Sequence, residues 1–189
     1  SFGLNFSFDE NGNITGIAEN GLLGPKSNNY VYDGENRLNS VTGSSPEVFN
    51  MDILGNILNG NAVFNNRNQL TENAEWFFEY DLNGNLAKKS AKLSPKVLEY
   101  DFDLENRLKQ VRIFENGTTL STRLSYRYDA LGRRIERKVE GVQTKITQFV
   151  HDGQDVLLEQ NQTGQLERTY MRGSGIDELY GVLEDVNQN

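Results

Sequence analysis

"YVYDGENRL", Tyr30 to Leu38, alternates aromatic and other residues up to an Asp, passes through Gly, Glu and Asn, and returns to an apolar Leu. It is either a reactive site built on Tyr, Asp and Arg or a device for reversing the chain. Its copies decide the matter. "FSFDENGNI" begins at Phe6, "FNMDILGNI" at Phe49, "AVFNNRNQL" at Ala62, "FEYDLNGNL" at Phe78, "YDFDLENRL" at Tyr100, "YRYDALGRR" at Tyr126 and "FVHDGQDVL" at Phe149. A reduced ninth copy, "NQTGQL", begins at Asn161. Self-similar segments about 19 residues apart define a repeat architecture, in which each unit buries its apolar face against neighbours.

With the opening Asp or Asn as origin, the units start at Asp9, Asp33, Asp52, Asn65, Asp81, Asp103, Asp129, Asp152 and Asn161. Three residues on stand Gly12, Asn36, Gly55, Asn68, Gly84, Asn106, Gly132, Asp155 and Gly164. Gly, Asn and Asp are the residues that most readily take positive φ, so backbone angle rather than side-chain chemistry selects this column. The pattern predicts a type I turn closed by a left-handed residue, the four-residue route into a bulged β-hairpin.

Before each turn, aromatic residues sit at minus three and minus one: Phe6 and Phe8, Tyr30 and Tyr32, Phe78 and Tyr80, Tyr100 and Phe102, Tyr126 and Tyr128. Period two puts both on one strand face, where adjacent hairpins are expected to align them into an aromatic ladder. Five residues past the origin an apolar side chain recurs, as in Ile14, Leu38, Leu86, Leu108 and Leu157, and Arg134 breaks the column. Asn116-Gly117 reads as an additional two-residue hairpin turn. The expected fold is all-β: consecutive antiparallel hairpins forming one curved or spiralling sheet over residues 1–189, with about nine repeats.

Composition narrows the function classes. At 36% hydrophobic over 189 residues, the chain suits one ordinary core. A mean hydropathy of −0.64 and the lack of any long apolar run exclude a helical membrane span. The net charge of −8 and pI near 4.8 disfavour a nucleic-acid partner. There is no cysteine and one histidine, so thiolate and common triad or zinc chemistry lack their parts. No cofactor and no metal are expected. Ser1 in place of Met reads as a piece of something longer, and no signal peptide is visible.

Laid out as Tyr-x-Tyr-Asp-x-x-Gly-Asn/Arg, the sequence resembles the YD-repeat, or RHS, family from about Phe6 to Leu179. "YRYDALGRRIERKV", "QFVHDGQDVLLEQ" and "GQLERTYMRGSGIDELY" are the most similar stretches. The resemblance implies a segment of a large hollow β-shell that, in bacterial toxins and toxin complexes, encloses or presents a C-terminal toxin domain. In the related teneurins it implies an adhesion role. The partners so implied are the rest of the parent shell and its passenger, and the implied localisation of the parent is secreted or on the cell surface. No Asp-Pro-x-Gly motif occurs before Asn189, so neither a self-cleaving site nor a toxin domain is carried over.

Sharper sites compete poorly. Asp101 and Asp103 are two apart on one strand and form a candidate carboxylate pair, yet Asp103 already opens a turn. His151 stands where Tyr32, Tyr80 and Tyr128 stand elsewhere and reads as a ladder residue. "GSGID" from Gly173 reads as a bend or closing loop. The cluster Arg133, Arg134, Arg137 and Lys138 reads as a solvated strand face paired with Glu136 and Glu140. The preferred function is a non-enzymatic structural segment, with self-association through unpaired edge strands. The alternative is a carbohydrate- or cell-surface-binding module whose exposed aromatics stack on a glycan. Exposure of Tyr32, Tyr80 and Tyr128 discriminates the two.

Overall fold

The computed structural model describes residues 3–21, 24–173, 175 and 178–184. Among the described residues seventeen strands follow one another: β1 Gly3–Phe8, β2 Ile14–Gly21, β3 Gly24–Tyr32, β4 Leu38–Gly43, β5 Glu47–Val48, β6 Val63–Phe64, β7 Leu70–Glu72, β8 Trp76–Tyr80 and β9 Leu86–Ala91. Then come β10 Val97–Phe102, β11 Leu108–Phe114, β12 Leu120–Tyr128, β13 Arg134–Glu140, β14 Thr144–Asp152, β15 Asp155–Asn161, β16 Leu166–Arg172 and β17 Leu179–Glu184. The strands assort into a five-stranded sheet, β1–β5, and a twelve-stranded sheet, β6–β17, both in strict sequence order and with antiparallel pairing wherever register is defined. The fold is all-β, made of successive hairpins. The chain divides into two compact units, Ser1–Ala74 and Glu75–Asn189.

In the first unit, β1–β2 and β3–β4 are full hairpins. The turn at Asp52–Gly55 has only a single bridge, Met51 opposite Ile57, and the Asn65 turn joins strands of two and three residues. In the second unit, ten strands run from β8 to β17. Period two and register together lay out its faces. Tyr100, Val111, Leu124 and Val139 stand opposite one another in a row across β10–β13. The other face carries Glu79, Lys88, Glu99, Arg112, Arg123 and Glu140 in one row across β8–β13.

An ordinary core is not what this sequence builds. Among the described residues the buried apolar side chains are Val41, Val111 and Phe149. A sheet layer covers its side chains with the strands on either side, so most of them end half-buried. The aromatic ladder also differs from the expected one. Each aromatic strand is followed by its own return strand, so aromatics of adjacent hairpins lie two strands apart, at about 10 Å. Their direct cross-strand partners are mostly aliphatic: Tyr30 with Val41, Tyr32 with Leu38, Tyr80 with Leu86, Tyr100 with Val111, and Phe102 with Leu108.

Two turn readings need correction, at Asp152–Asp155 and at Asn116-Gly117, whereas Asn161–Gly164 forms the turn as read. Asp152 pairs directly with Asp155, so this hairpin has a two-residue loop with Gly153 at φ 57, the II′ pattern with Gly at the first central position. Asp155 is therefore a strand residue, and Val156, one position earlier than the expected Leu157, faces His151. The Asn161–Gly164 turn joins β15 to β16. Successive connections of an antiparallel meander alternate edges, so it lies on the edge opposite the turns at 81–84, 103–106 and 129–132. Asn116-Gly117 sits in a five-residue loop, because Phe114 pairs with Leu120.

Candidate functional site at the hairpin turns

The turn-opening Asp is the hub of each repeat. One carboxylate oxygen, Oδ1, accepts the N–H groups two and four residues on: Asn11 and Asn13 at Asp9, Glu35 and Arg37 at Asp33, Leu54 and Asn56 at Asp52. Asp81, Asp103 and Asp129 repeat this at 2.8–2.9 Å. The Asp carbonyl meanwhile accepts the N–H of the residue three on, closing the turn at 3.0–3.1 Å. That third residue is left-handed at Gly12, Asn36, Gly55, Asn68, Gly84, Asn106, Gly132 and Gly164.

The second oxygen, Oδ2, holds the side chain four residues on. Asn13, Asn56 and Asn85 donate Nδ2 at 2.9, 2.8 and 3.0 Å, whereas Arg37, Arg107 and Arg133 donate Nε at 2.7 Å. Where Asn opens the turn the polarity reverses: Asn65 and Asn161 donate to Gln69 and Gln165. An amide opener needs an acceptor at that position, and Gln supplies one.

These hydrogen bonds hold the carboxyl groups below their ordinary value. At Asp9, Asp52 and Asp81 the neighbouring Asn amide is the main cause; at Asp33 and Asp103 it is the backbone N–H of Arg37 and Arg107. At Asp129 burial pushes the carboxyl up, but the bonds to Arg133 and Leu131 outweigh it.

The same fourth residue reaches the next hairpin. Asn13 Nδ2 also donates to Asn36 Oδ1 at 3.0 Å, and Asn85 Nδ2 to Asn106 Oδ1 at 2.9 Å; Asn56 and Asn68 pair likewise. Arg37 donates to Asp52 O, Arg133 to Gly153 O, and the Arg107 guanidinium lies 4.9 Å from the Tyr128 ring centre. The left-handed column is thus selected by more than backbone angle. Its Asn members accept bonds from the preceding turn, and Gly55 leaves the Arg37 side chain room. A sequence signal for this exists: Asn13, Asn56 and Asn85 precede Asn36, Asn68 and Asn106, whereas Arg37 and Arg107 precede Gly55 and Gly132.

A second link joins hairpins through the residue before the turn. Tyr32 OH donates to Ile14 O at 2.9 Å and Tyr128 OH to Leu108 O at 2.8 Å. His151 Nε2 contacts Arg134 O at 2.9 Å, and Arg172 Nε reaches Val156 O at 3.3 Å. In each case the acceptor is the return residue of the preceding hairpin. His151 makes with an imidazole N–H the bond a tyrosine makes with its hydroxyl.

Of the ten expected ladder residues, Tyr30, Tyr32, Phe78, Tyr80, Tyr100, Phe102, Tyr126 and Tyr128 are half-buried, whereas Phe6 and Phe8 are exposed at 49% and 60% and stack on each other. Several rings are covered by cations: Lys89 is 3.9 Å from the Trp76 ring centre, and Arg134 4.7 Å from Phe149 and 5.7 Å from Tyr126. The basic cluster is consequently not one solvated face. Arg133 serves the turn, Arg134 lies on rings, Arg137 stands opposite Tyr126, and Lys138 pairs with Glu140 at 2.7 Å.

Asp101 and Asp103 do not act together. Asp103 is consumed by its turn, and Asp101 joins Glu99 on Arg112. Sequence reasoning missed Glu159, which is 7% exposed and accepts the Tyr170 hydroxyl at 2.5 Å. Of "GSGID", Ser174, Ile176 and Asp177 lie outside the described residues; Gly173 N donates to Glu178 O across that stretch.

Such a turn, repeated down the chain with its Tyr, Asp and trailing Asn or Arg, is the YD signature, and the sequence model described as teneurin YD-shell matches residues 1–163. The chain belongs to the teneurin YD-shell family. No curated protein matches it. Among solved structures, a chain of TcdB2-TccC3-TEV is 14% identical over 88% of this YD-shell chain and 10% of its own length, with a TM-score of 0.48. A chain of TcdB2-TccC3 is 15% identical over 88% of this chain and 8% of its own, at 0.41, and one of TcdB2-TccC3-Cdc42 is 12% identical over 90% and 14%, at 0.37. This YD-shell chain therefore spans 8–14% of the length of those structures.

Proposed function

We propose that this YD-shell chain is a structural, non-enzymatic wall segment of a longer protein, secreted or on the cell surface, that encloses or presents a C-terminal toxin or adhesion domain. The observation that carries the reading is the double link between hairpins, tyrosine to carbonyl and turn to turn. Side chains that are reactive elsewhere are spent on joining one repeat to the next. Most ladder rings are half-buried, the hydroxyls of Tyr32 and Tyr128 are bonded to backbone, several faces bear a Lys or Arg, and the open rings of Phe6 and Phe8 form a single pair rather than a ladder-long platform. That weighs against the carbohydrate-binding alternative.

The test uses the parent protein with its passenger intact. Removal of the β12–β13 hairpin is expected to make the passenger accessible to protease, whereas the unaltered parent keeps it protected. Equal protection in both would overturn the enclosing role. The isolated 189-residue chain is expected to self-associate through β1 and β17, read by sedimentation over a concentration series.

A further inference from the structure

The sequence holds five Asn-Gly pairs, at Asn11, Asn20, Asn59, Asn83 and Asn116. Such pairs can react with themselves: the glycine nitrogen attacks the Asn side-chain carbonyl and ammonia leaves. The structure separates the five by how far each is prepared for that step.

Four are held back. Gly12 N and Gly84 N are engaged, donating to Asp9 O and Asp81 O at 3.1 Å, so the attacking nitrogen is tied into its turn. Asn20 and Gly21 lie in the paired part of β2, where extended backbone keeps nitrogen and side-chain carbon apart. Asn59 has its amide fixed at both ends, Oδ1 by Asn50 N and Nδ2 by Val48 O.

Asn116, in the loop joining β11 to β12, is exposed like the other four but differs from them in two ways. Among the described residues, neither Gly117 N nor Asn116 Nδ2 has a hydrogen-bond partner, so nucleophile and leaving group are both free. And Asn116 Oδ1 accepts two backbone N–H groups, Thr119 at 2.8 Å and Thr118 at 3.2 Å. That oxygen takes negative charge as the carbon becomes tetrahedral, and preformed N–H donors aimed at it stabilise the transition state more than the ground state.

We propose that Asn116–Gly117 is a self-modifying site, at which an anchored side-chain carbonyl and a free glycine nitrogen convert Asn116 to a mixture of aspartate and isoaspartate. Gly117 N loses its proton to solvent and bonds to Asn116 Cγ. The Cγ–Nδ2 bond breaks, and Nδ2 takes up a proton and departs as ammonia. Water then opens either carbonyl–nitrogen bond of the cyclic imide. One product is an ordinary aspartate at this position; the other carries the chain through the side-chain carbon, adding a methylene to the main chain between β11 and β12. No redox partner is needed, and water is the sole co-reactant.

The test is peptide mapping by mass spectrometry after incubating the folded chain in mildly alkaline buffer, with a parallel sample in urea. In the folded sample the peptide Ile113 to Arg123 is expected to gain one mass unit at least about ten times faster than the peptides carrying Asn11 or Asn83, the scale set by aligned N–H donors. In urea the difference is expected to shrink to a few-fold. Conversion at Asn11 or Asn83 as fast as at Asn116 in the folded protein would overturn the proposal. So would an advantage of Asn116 that persists undiminished in urea, which would make local sequence rather than structure the cause.

Discussion

At the scale of single residues, the turn-opening Asp divides its two oxygens between backbone and the side chain four positions on, and that side chain carries the link to the next repeat. Asn106 has φ 57 and accepts amide bonds from both Asn83 and Asn85. Asn106→Gly keeps the backbone conformation and removes the acceptor, so urea unfolding is expected to show a loss of about 0.5–1 kcal/mol. Gly132 has φ 80 and open space where a Cβ would stand. Gly132→Val should therefore cost about 1–2 kcal/mol from backbone strain alone. The left-handed column was legible in the sequence, because only residues that tolerate positive φ can fill it. The use of its Asn side chains was not, because a bond between Asn85 and Asn106 depends on which turns stand side by side.

At the scale of elements, Tyr32, Tyr128, His151 and Arg172 each tie their hairpin to the one before it by a bond to a return-strand carbonyl. Tyr128→Phe deletes the bond to Leu108 O, at an expected cost of about 0.5–1.5 kcal/mol. Hydrogen exchange should locate the loosening in β11 and β12, with β16 and β17 unchanged. Unaltered exchange in β11 and β12 would mean the hydroxyl bond is incidental. The hairpins themselves were readable from aromatic period two and turn chemistry. Exceptions arose where loop length shifted register. "FVHDGQDVL" matches the repeat, yet it has Asp155 where other copies have Gly or Asn; Gly34 also follows Asp33, but there Asn36 takes the left-handed place, whereas here Gly153 takes it in a two-residue turn. "NQTGQL" carries full turn chemistry on the other edge of the meander, a distinction that local sequence does not encode.

At the scale of the whole molecule, stability rests on many half-buried links rather than on a central core, as the three buried apolar side chains among the described residues indicate. Composition pointed to an ordinary core because it counts apolar residues without knowing that a sheet layer shares them between two faces. The acid response follows from the turns. Asp9, Asp33, Asp52, Asp81, Asp103 and Asp129 are all held below the ordinary value of 3.8 when folded. A carboxyl group with a depressed folded value stabilises the fold above its unfolded value, and that contribution fades as pH falls through the folded value. Thermal stability is thus expected to be level from neutral pH down to about 5 and to fall below about 4. Because these groups are solvent-accessible, added salt should blunt the Arg-paired part of the effect. Stability that rises on acidification through this window would contradict the assignment.

The claim beneath all three scales is that side chains of the YD turn join neighbouring repeats within each unit. A double-mutant cycle on Asn85 and Asn106, whose amides meet at 2.9 Å between successive turns, measures this directly. Unfolding free energies of Asn85→Ala, Asn106→Gly and the double variant are predicted to show a coupling of about 0.5 kcal/mol. Strict additivity of the two substitutions would contradict the account.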